Sequence, residues 1–131
     1  MKFLSIYKTR ETNEPPSPEL MARMGKLIED SLKSGVLVAT EGCLPSALGA
    51  RVRLSDGNIT ITDGPFAETK ELVGGFAILN VSSKEQAIEE ARKFLAIAGE
   101  GECELRQIYD SPDCSHAALS EEYARQVGQA V

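Results

Sequence analysis

The sequence predicts an α+β domain in which two helices cover one face of an antiparallel sheet. Segments rich in β-branched and aromatic residues alternate with two segments whose apolar residues recur at helical spacing. The run ARVRLSDGNITITD, residues 50–63, alternates around Asp56-Gly57, which is a strong signal for a β-hairpin. With 131 residues, 42% apolar and 26% charged, the composition suits one globular domain.

The first part of the chain predicts a strand, a helix and a second strand. The segment KFLSIYK, residues 2–8, is β-rich and is followed by a polar loop. Ser17 is positioned to cap a helix whose first turn suits Pro18, and Gly35 is placed to end it. The apolar residues at helical spacing between them, which we expect in the core, are Leu20, Met21, Met24, Leu27, Ile28 and Leu32. The run VLVATEGC, residues 36–43, predicts a strand with apolar residues on both faces.

The part that follows the hairpin predicts a long strand, a second helix and a last strand. The run LVGGFAILNV, residues 72–81, is again apolar on both faces. Overlapping capping boxes begin at Ser82 and Ser83, and Gly99 can close the helix that follows. CELRQIY, residues 103–109, predicts the last strand.

Without the hairpin, this order of elements is the split βαβ plan of a ferredoxin-like domain. The sheet face opposite the helices would then be bare, although two of its strands carry apolar side chains towards both faces. A second copy of the chain is the simplest cover, so we expect a homodimer through this sheet face.

We assign residues 1–110 to the domain and residues 111–131 to a C-terminal extension. The extension predicts a short amphipathic helix with a stripe of Leu119, Tyr123 and Val127.

Charge and cysteine content narrow the functional classes. The chain has 14 Lys and Arg against 20 Asp and Glu, a net charge of −6, which argues against a nucleic-acid partner. No stretch has the length of a membrane span and the N-terminus lacks signal-peptide features, so we expect no membrane association and a cytoplasmic location. Cys43, Cys103 and Cys114 form no CxxC pair, and His116 has only Cys114 as a close thiol neighbour. We therefore expect neither a metal nor another cofactor.

The densest polar motif is TDGPFAETKE, residues 62–71. One interpretation is structural: Asp63 caps a turn that Gly64 and Pro65 bend sharply, and Phe66 anchors it by burying its ring. Such residues occur routinely in turns.

The other interpretation of the motif is a ligand site. By strand alternation Asp63 shares a side with Ile59 and Ile61, and Glu41 shares a side with Leu37 and Ala39. A carboxylate that ends an apolar strand register costs free energy unless it is paired, so we expect either a salt bridge or a ligand there. The cations available for pairing are Lys70, Arg51, Arg53 and Arg106. The residues predicted to contact a ligand are Asp63, Gly64, Pro65, Phe66, Glu68, Lys70 and Arg106.

The segment from EGCLPSALG to EEARKF, residues 41–94, resembles DGPF-domain proteins of the YCII-related family, and its most specific part is DGPFAETKE followed by GGF. The resemblance implies a ferredoxin-like domain that dimerises into an α+β barrel. Related YCII proteins suggest a His–Asp pair in a cleft as an active site, but this chain has no histidine before His116, so the His half of that pair is missing. Where DGPF proteins usually carry Arg-Pro in the last strand, this sequence has Arg106-Gln107.

Two functions stay open at this point. The first is a dimeric small-molecule-binding or regulatory protein without chemistry. The alternative is an enzyme on a small organic substrate, with Asp63 or Glu41 as the general base and Lys70 or Arg106 holding an anion. The sequence has no Ser-His-Asp set, phosphate loop or metal cluster, which favours binding. His116 is the only imidazole, and we expect it to be solvated or to start the last helix.

Overall fold

The computed structural model describes residues 1–12, 14–66, 72–109 and 116–130. The strands in these ranges are β1 (Lys2–Thr9), β2 (Leu37–Gly42), β3 (Ala50–Ser55), β4 (Asn58–Asp63), β5 (Leu72–Asn80) and β6 (Glu102–Gln107). The helices are α1 (Pro18–Ser34), α2 (Lys84–Ala98) and α3 (His116–Ala130). A short 3₁₀ turn, Ser46–Leu48, separates β2 from β3. The order of the elements confirms the predicted α+β fold class.

The strands form two separate antiparallel sheets. The main sheet has four strands in the order β2-β5-β1-β6, and β3 pairs only with β4. We call β3, β4 and the turn between them the ribbon, which spans residues 50–63. Its turn has φ of 51° at Asp56 and 78° at Gly57, as a tight two-residue hairpin turn requires. The predicted hairpin is therefore confirmed.

The ends of α1 and α2 follow from the capping residues that the sequence offers. Ser17 Oγ accepts a hydrogen bond from the Leu20 N–H at 3.1 Å, and Ser83 Oγ accepts one from Gln86 N–H at 3.1 Å. Gly35 ends α1 with a left-handed φ of 82°, a conformation that glycine adopts without a steric penalty. Each helix thus begins and ends where local backbone chemistry predicts.

The hydrophobic core is small and lies between the main sheet and α2. Its buried members are Phe3, Leu37, Leu79, Val81 and Ala87. Helix α1 contributes no buried residue and packs mainly against α2 and β2. Met21 is 60% exposed and Leu32 is 50% exposed, whereas Met24 is half-buried, so the assignment of Met21 and Leu32 to the core is wrong. The apolar stripe of α1 instead borders a cavity, as described below.

A register shift in β2 changes which way Glu41 points. The pairing of β2 with β5 shifts between Leu37 and Ala39, so Leu37 lies opposite Leu79 whereas Ala39 lies opposite Ile78. Partners across an antiparallel pair share a face, so Leu37 lies on the helix side and Ala39 on the other side. Glu41, which pairs with Phe76, follows Ala39. The expectation that Glu41 shares a side with Leu37 is wrong because the irregularity at Val38 interrupts the alternation.

The face of the main sheet that points away from α1 and α2 carries a patch of apolar side chains. This open sheet face consists of Leu4, Ile6, Ala39, Phe76 and Ile78. Its four larger members are half-buried, and Ala39 is exposed. Three charged side chains border the patch. Glu104 forms ion pairs with Lys8 at 2.8 Å and with Arg106 at 3.5 Å.

Helix α3 lies against the edge strand β6. The Gln107 Nε2 donates a hydrogen bond to Gln126 Oε1 at 2.9 Å, and the buried Glu122 accepts from Arg125 and from Gln126. Tyr123 and Val127 of the predicted stripe are exposed. Among the described residues, no helix combines the length and the apolar character that crossing a membrane would require.

We predict that Glu104→Gln destabilises the folded chain at neutral pH but not at acidic pH. The hydrogen bond and charge of Lys8, with a smaller effect of Arg106, hold the pKa of Glu104 below its usual range. A carboxyl group with a lowered folded-state pKa stabilises the fold above its unfolded pKa, and this contribution disappears as the pH falls through the folded value. Because Glu104 is partly exposed, the effect should be small.

Urea unfolding of the wild type and Glu104→Gln at about pH 7 and about pH 3 measures this difference. Glu89→Gln makes the same charge change at an exposed helix position and serves as the control. An equal difference between wild type and Glu104→Gln at both pH values would contradict the prediction.

Candidate functional site

The loop after β4 is held by hydrogen bonds that converge on Ser46. The Ser46 N–H and hydroxyl both donate to the Glu11 carboxylate, the hydroxyl at 2.8 Å. Ser46 Oγ in turn accepts from the Phe66 N–H at 3.2 Å. Ser46 is buried, whereas Glu11 comes from the loop after β1. The segment after β1, the 3₁₀ turn and the DGPF segment are therefore joined at one buried hydroxyl.

Gly64 is required at its position because the chain passes directly over Ser46. A Cβ atom at Gly64 would overlap with the carbonyl oxygen of Ser46. The Gly64 N–H also donates to the Gly49 carbonyl at 3.0 Å, which closes the base of the ribbon, and the Gly64–Pro65 bond is cis. The glycine of the motif thus allows a close backbone approach, which the sequence did not predict, and it does not adopt a positive φ.

Phe66 follows this contact and is half-buried. The guanidinium carbon of Arg51 lies 4.0 Å from the centroid of the Phe66 ring, within the range of a cation–π interaction. Arg51 belongs to β3, so this contact fastens the loop to the ribbon. The ring anchors the turn mainly through this stacking.

The predicted site residues occupy different parts of the molecule. Asp63 is exposed at the base of the ribbon, opposite Ala50, and its carboxylate makes no hydrogen bond or ion pair with the described residues. Glu41 is exposed at the end of β2, and Arg106 lies beside the open sheet face. Glu68 and Lys70 lie outside the described residues. Within the described part of the chain, Asp63 forms no hydrogen bond or ion pair with Glu41 or Arg106.

A cavity of about 920 Å³ lies between α1, α2 and the helix side of the main sheet. Its apolar lining includes Leu20, Met24, Leu27, Ile28, Leu79 and Phe94. The cavity exists because α1 stands off the sheet, which leaves its apolar stripe half-buried. Small residues on the sheet, Gly75 and Ala77, leave room beneath the helix. The Phe94 ring packs edge-on against Tyr7, with the ring centroids 4.9 Å apart.

Most polar groups that line the cavity are already bonded within the protein. Tyr7 Oη and Thr9 Oγ1 both donate to the Glu100 carbonyl, at 3.1 and 3.2 Å, and Thr40 Oγ1 donates to the Phe76 carbonyl at 2.8 Å. These bonds orient the hydroxyls towards the backbone. The interior of the cavity is therefore predominantly apolar.

The charged residues of the lining are mostly acidic. The carboxylates are Glu11, Glu14, Glu41 and Glu90, against the single guanidinium of Arg10. The Glu11 carboxylate already accepts two hydrogen bonds from Ser46. Glu90, whose side chain is 13% exposed, forms an ion pair with Lys93 at 3.1 Å. The described lining carries an excess of negative charge, which disfavours an anionic ligand.

Ser5 forms part of the cavity floor and adjoins Cys103 on β6. Burial raises the pKa of the Cys103 thiol, and this effect outweighs the hydrogen bond with Ser5, which lowers it. The thiol is therefore protonated at neutral pH and is a poor nucleophile. Among the described residues, no three His, Cys, Asp or Glu side chains are arranged to hold a metal ion.

The sequence analysis missed the cavity. Its residues carry the ordinary apolar pattern of a helix and a sheet, which predicts contact rather than a gap. The feature of the sequence that could have indicated a cavity is the pair of methionines in the apolar stripe of α1, because methionine is common at adaptable binding surfaces. Met24 does line the cavity.

A family model described as the YCII-related domain matches residues 1–111. The match includes all six strands, α1 and α2, and α3 lies beyond it. The chain is also similar to an uncharacterized protein of Rhizobium meliloti (strain 1021), at 33% identity over 84 residues. That alignment covers 64% of this chain and 64% of the relative. The division of the chain at residue 110 stays a prediction, since residues 110–115 lie outside the described part.

We predict that Gly64→Ala destabilises the protein and that Gly42→Ala does not. The added methyl group at Gly64 overlaps with the Ser46 carbonyl, so the backbone must shift at an expected cost of about 1–3 kcal/mol. A Cβ at Gly42 meets no atom within 4 Å, so that variant should stay within about 0.5 kcal/mol of wild type. Chemical denaturation of the three proteins at one concentration gives the comparison. Equal losses in both variants would show that the close approach at Ser46 does not constrain the motif.

Proposed function

Because the chain belongs to the YCII-related family, we propose that it is a homodimeric small-molecule-binding protein whose ligand occupies the cavity beneath α1. The observation that carries this proposal is the cavity itself. Its volume of about 920 Å³ falls within the range of roughly 300–1,000 Å³ typical of ligand sites. Like most such sites, it is lined mainly by apolar and aromatic side chains with a few polar groups.

The lining favours a largely apolar ligand that is uncharged or cationic. The helix side supplies Leu20, Met24 and Phe94, which offer apolar contact but no hydrogen bonds. Of the four carboxylates in the lining, Glu14 makes no side-chain ion pair with described residues and is available to a cationic group, whereas Glu41 belongs to the register of the open sheet face. An anionic ligand would meet net repulsion from the same residues. A hydrophobic amine matches both properties.

The homodimer forms through the open sheet face. Leu4, Ile6, Phe76 and Ile78 lie together on that face, and contiguous apolar patches of this kind mark interaction surfaces. A second copy brings an identical patch, and packing two sheets face to face buries both. A cytoplasmic location agrees with the exposed free thiol of Cys43, since such thiols persist in reducing compartments.

Catalysis is a second candidate function, favoured by the exposed carboxylate of Glu41 at the end of β2, next to strand residues that border the cavity. An exposed carboxylate beside an apolar cavity can accept a proton from a bound substrate. Asp63, at the base of the ribbon, is the other carboxylate proposed for this role. Binding and catalysis differ in whether a bound molecule is converted.

We predict that amines stabilise the protein more than acids of equal hydrocarbon content. A thermal-shift series of phenylalkylamines and the matching phenylalkanoic acids tests the sign of the ligand charge, because a ligand that binds the native state raises the melting temperature. Ser31 on α1 lines the cavity, so a larger side chain at this position should fill part of it. Ser31→Phe should therefore weaken amine binding roughly tenfold or more.

Ala22→Phe is the matched control, because Ala22 is exposed on the same helix and does not line the cavity. Calorimetric titration of both variants with the best amine gives the affinities. Selective stabilisation by the acids would refute the proposed ligand class. Unchanged affinity in Ser31→Phe would place the binding site elsewhere.

The catalytic candidate predicts that Asp63→Asn folds normally but loses roughly tenfold or more in turnover of any converted ligand. Stability should stay within about 0.5 kcal/mol, because the carboxylate makes no hydrogen bond with described residues and asparagine serves nearly as well in a turn. Asp56→Asn, in the turn of the ribbon, is the control for the same chemical change. Turnover in Asp63→Asn equal to that of the wild type would return Asp63 to a purely structural role.

A further inference from the structure

The ribbon presents four large apolar side chains to solvent on one of its faces. Val52 pairs with Ile61, and Leu54 pairs with Ile59, so all four side chains point to the same side. They are 66–71% exposed, the values being 70%, 71%, 66% and 70% for Val52, Leu54, Ile59 and Ile61. The opposite face of the ribbon is polar and carries Arg51, Arg53, Thr60 and Thr62. The ribbon is thus amphipathic, with its apolar face uncovered by the described part of its own chain.

An uncovered ribbon of this kind needs a packing partner. An isolated two-stranded hairpin is marginally stable in water, and it becomes stable when an apolar face packs against another element. The ribbon shares no strand pairing with the main sheet. Its regular alternation and its tight turn show that the sequence places a contiguous apolar surface there. Single apolar residues scattered over a surface are normal, but these four side chains form one contiguous patch.

The surface that matches the ribbon is the open sheet face. We propose that the ribbon of each subunit packs across the open sheet face of the other, so that the dimer exchanges its two ribbons. This inference rests on the homodimer through the open sheet face proposed above, but it replaces the direct sheet-to-sheet contact with a contact between ribbon and sheet. Both surfaces are uncovered in a single chain. In a two-fold dimer the contact between ribbon and sheet face occurs twice, so both ribbons and both sheet faces are covered. No third component is needed.

Each of the two surfaces also carries one charged side chain that can pair with a charged side chain of the other. Asp63 lies on the apolar side of the ribbon, at its base, and is exposed. Arg106 borders the open sheet face with its side chain 72% exposed, and its ion pair with Glu104 is long at 3.5 Å. In the exchanged dimer these two surfaces meet, so Asp63 gains a cationic neighbour in Arg106 of the partner subunit. Asp63 and Arg106 are both predicted ligand contacts, and they form no ion pair with each other within the described part of one chain. In the exchanged dimer they belong to one composite site.

The double variant Leu54→Thr, Ile59→Thr tests the exchange. Threonine retains strand propensity and replaces a directly opposed apolar pair, so the ribbon should still form. Sedimentation equilibrium should show a dimer dissociation constant raised roughly tenfold or more relative to wild type. Arg53→Thr changes the polar face of the ribbon at the neighbouring position and should leave the dissociation constant unchanged. Far-UV circular dichroism of each variant verifies that it folds.

A photo-crosslinking residue, p-benzoylphenylalanine, placed at position 54 identifies the surface that the ribbon touches. Irradiation should give a covalent dimer on a denaturing gel, with the crosslink mapped by mass spectrometry to β1 or β5. The same residue at position 53 should give little crosslinking to those strands.

The outcomes separate this inference from the dimer on which it rests. A monomeric wild type would overturn both. A dimer that the double variant does not weaken, together with crosslinks that avoid β1 and β5, would overturn the exchange and leave a direct sheet-to-sheet dimer. Crosslinks from position 54 within one chain would likewise overturn it. Amine binding in the cavity is measured independently of all three results.

Discussion

The close passage of the chain over Ser46 is the constraint on which the rest of the structure depends. Gly64 lies against the Ser46 carbonyl, and the Ser46 side chain joins Glu11 to the backbone of Phe66. Glu11 lines the cavity, whereas Gly64 closes the base of the ribbon. A single buried hydroxyl therefore sets the position of the ribbon relative to the opening beneath α1. The rim of the cavity and the base of the ribbon are therefore joined by the same few hydrogen bonds.

The small size of the core explains why these contacts matter. The buried apolar residues lie mainly between β1, β5 and α2, and α1 adds none. Small domains bury a smaller share of their surface than large ones, so each uncovered apolar face represents an appreciable part of the available stabilisation. Two such faces exist here, on the main sheet and on the ribbon. The homodimer proposed above would cover both faces and add their burial to the stability of the fold.

Features determined by local backbone chemistry could be predicted from the sequence. Ser17, Ser83 and Gly35 mark the helix ends, and Asp56-Gly57 marks the ribbon turn, because each of these residues acts on its immediate neighbours. The shift at Val38 could not be predicted, since an extra residue in one strand leaves the apolar pattern almost unchanged. The Ser46 contacts also escaped prediction, because they join segments 35 and 20 residues apart in sequence. The cavity was missed for a related reason: helical spacing indicates which side of α1 is apolar but not how far that side lies from the sheet.

The distance between α1 and the sheet has a consequence for how this protein can diverge. Side chains such as Leu20, Met24 and Leu27 line the cavity without belonging to the buried core. Substitutions there alter the shape of the cavity while the sheet and α2 keep their packing, so they carry little of the stability cost of core mutations. Selection can therefore act on these positions almost independently of folding. The shape of the cavity can therefore change through α1 alone, while the core between the sheet and α2 stays the same.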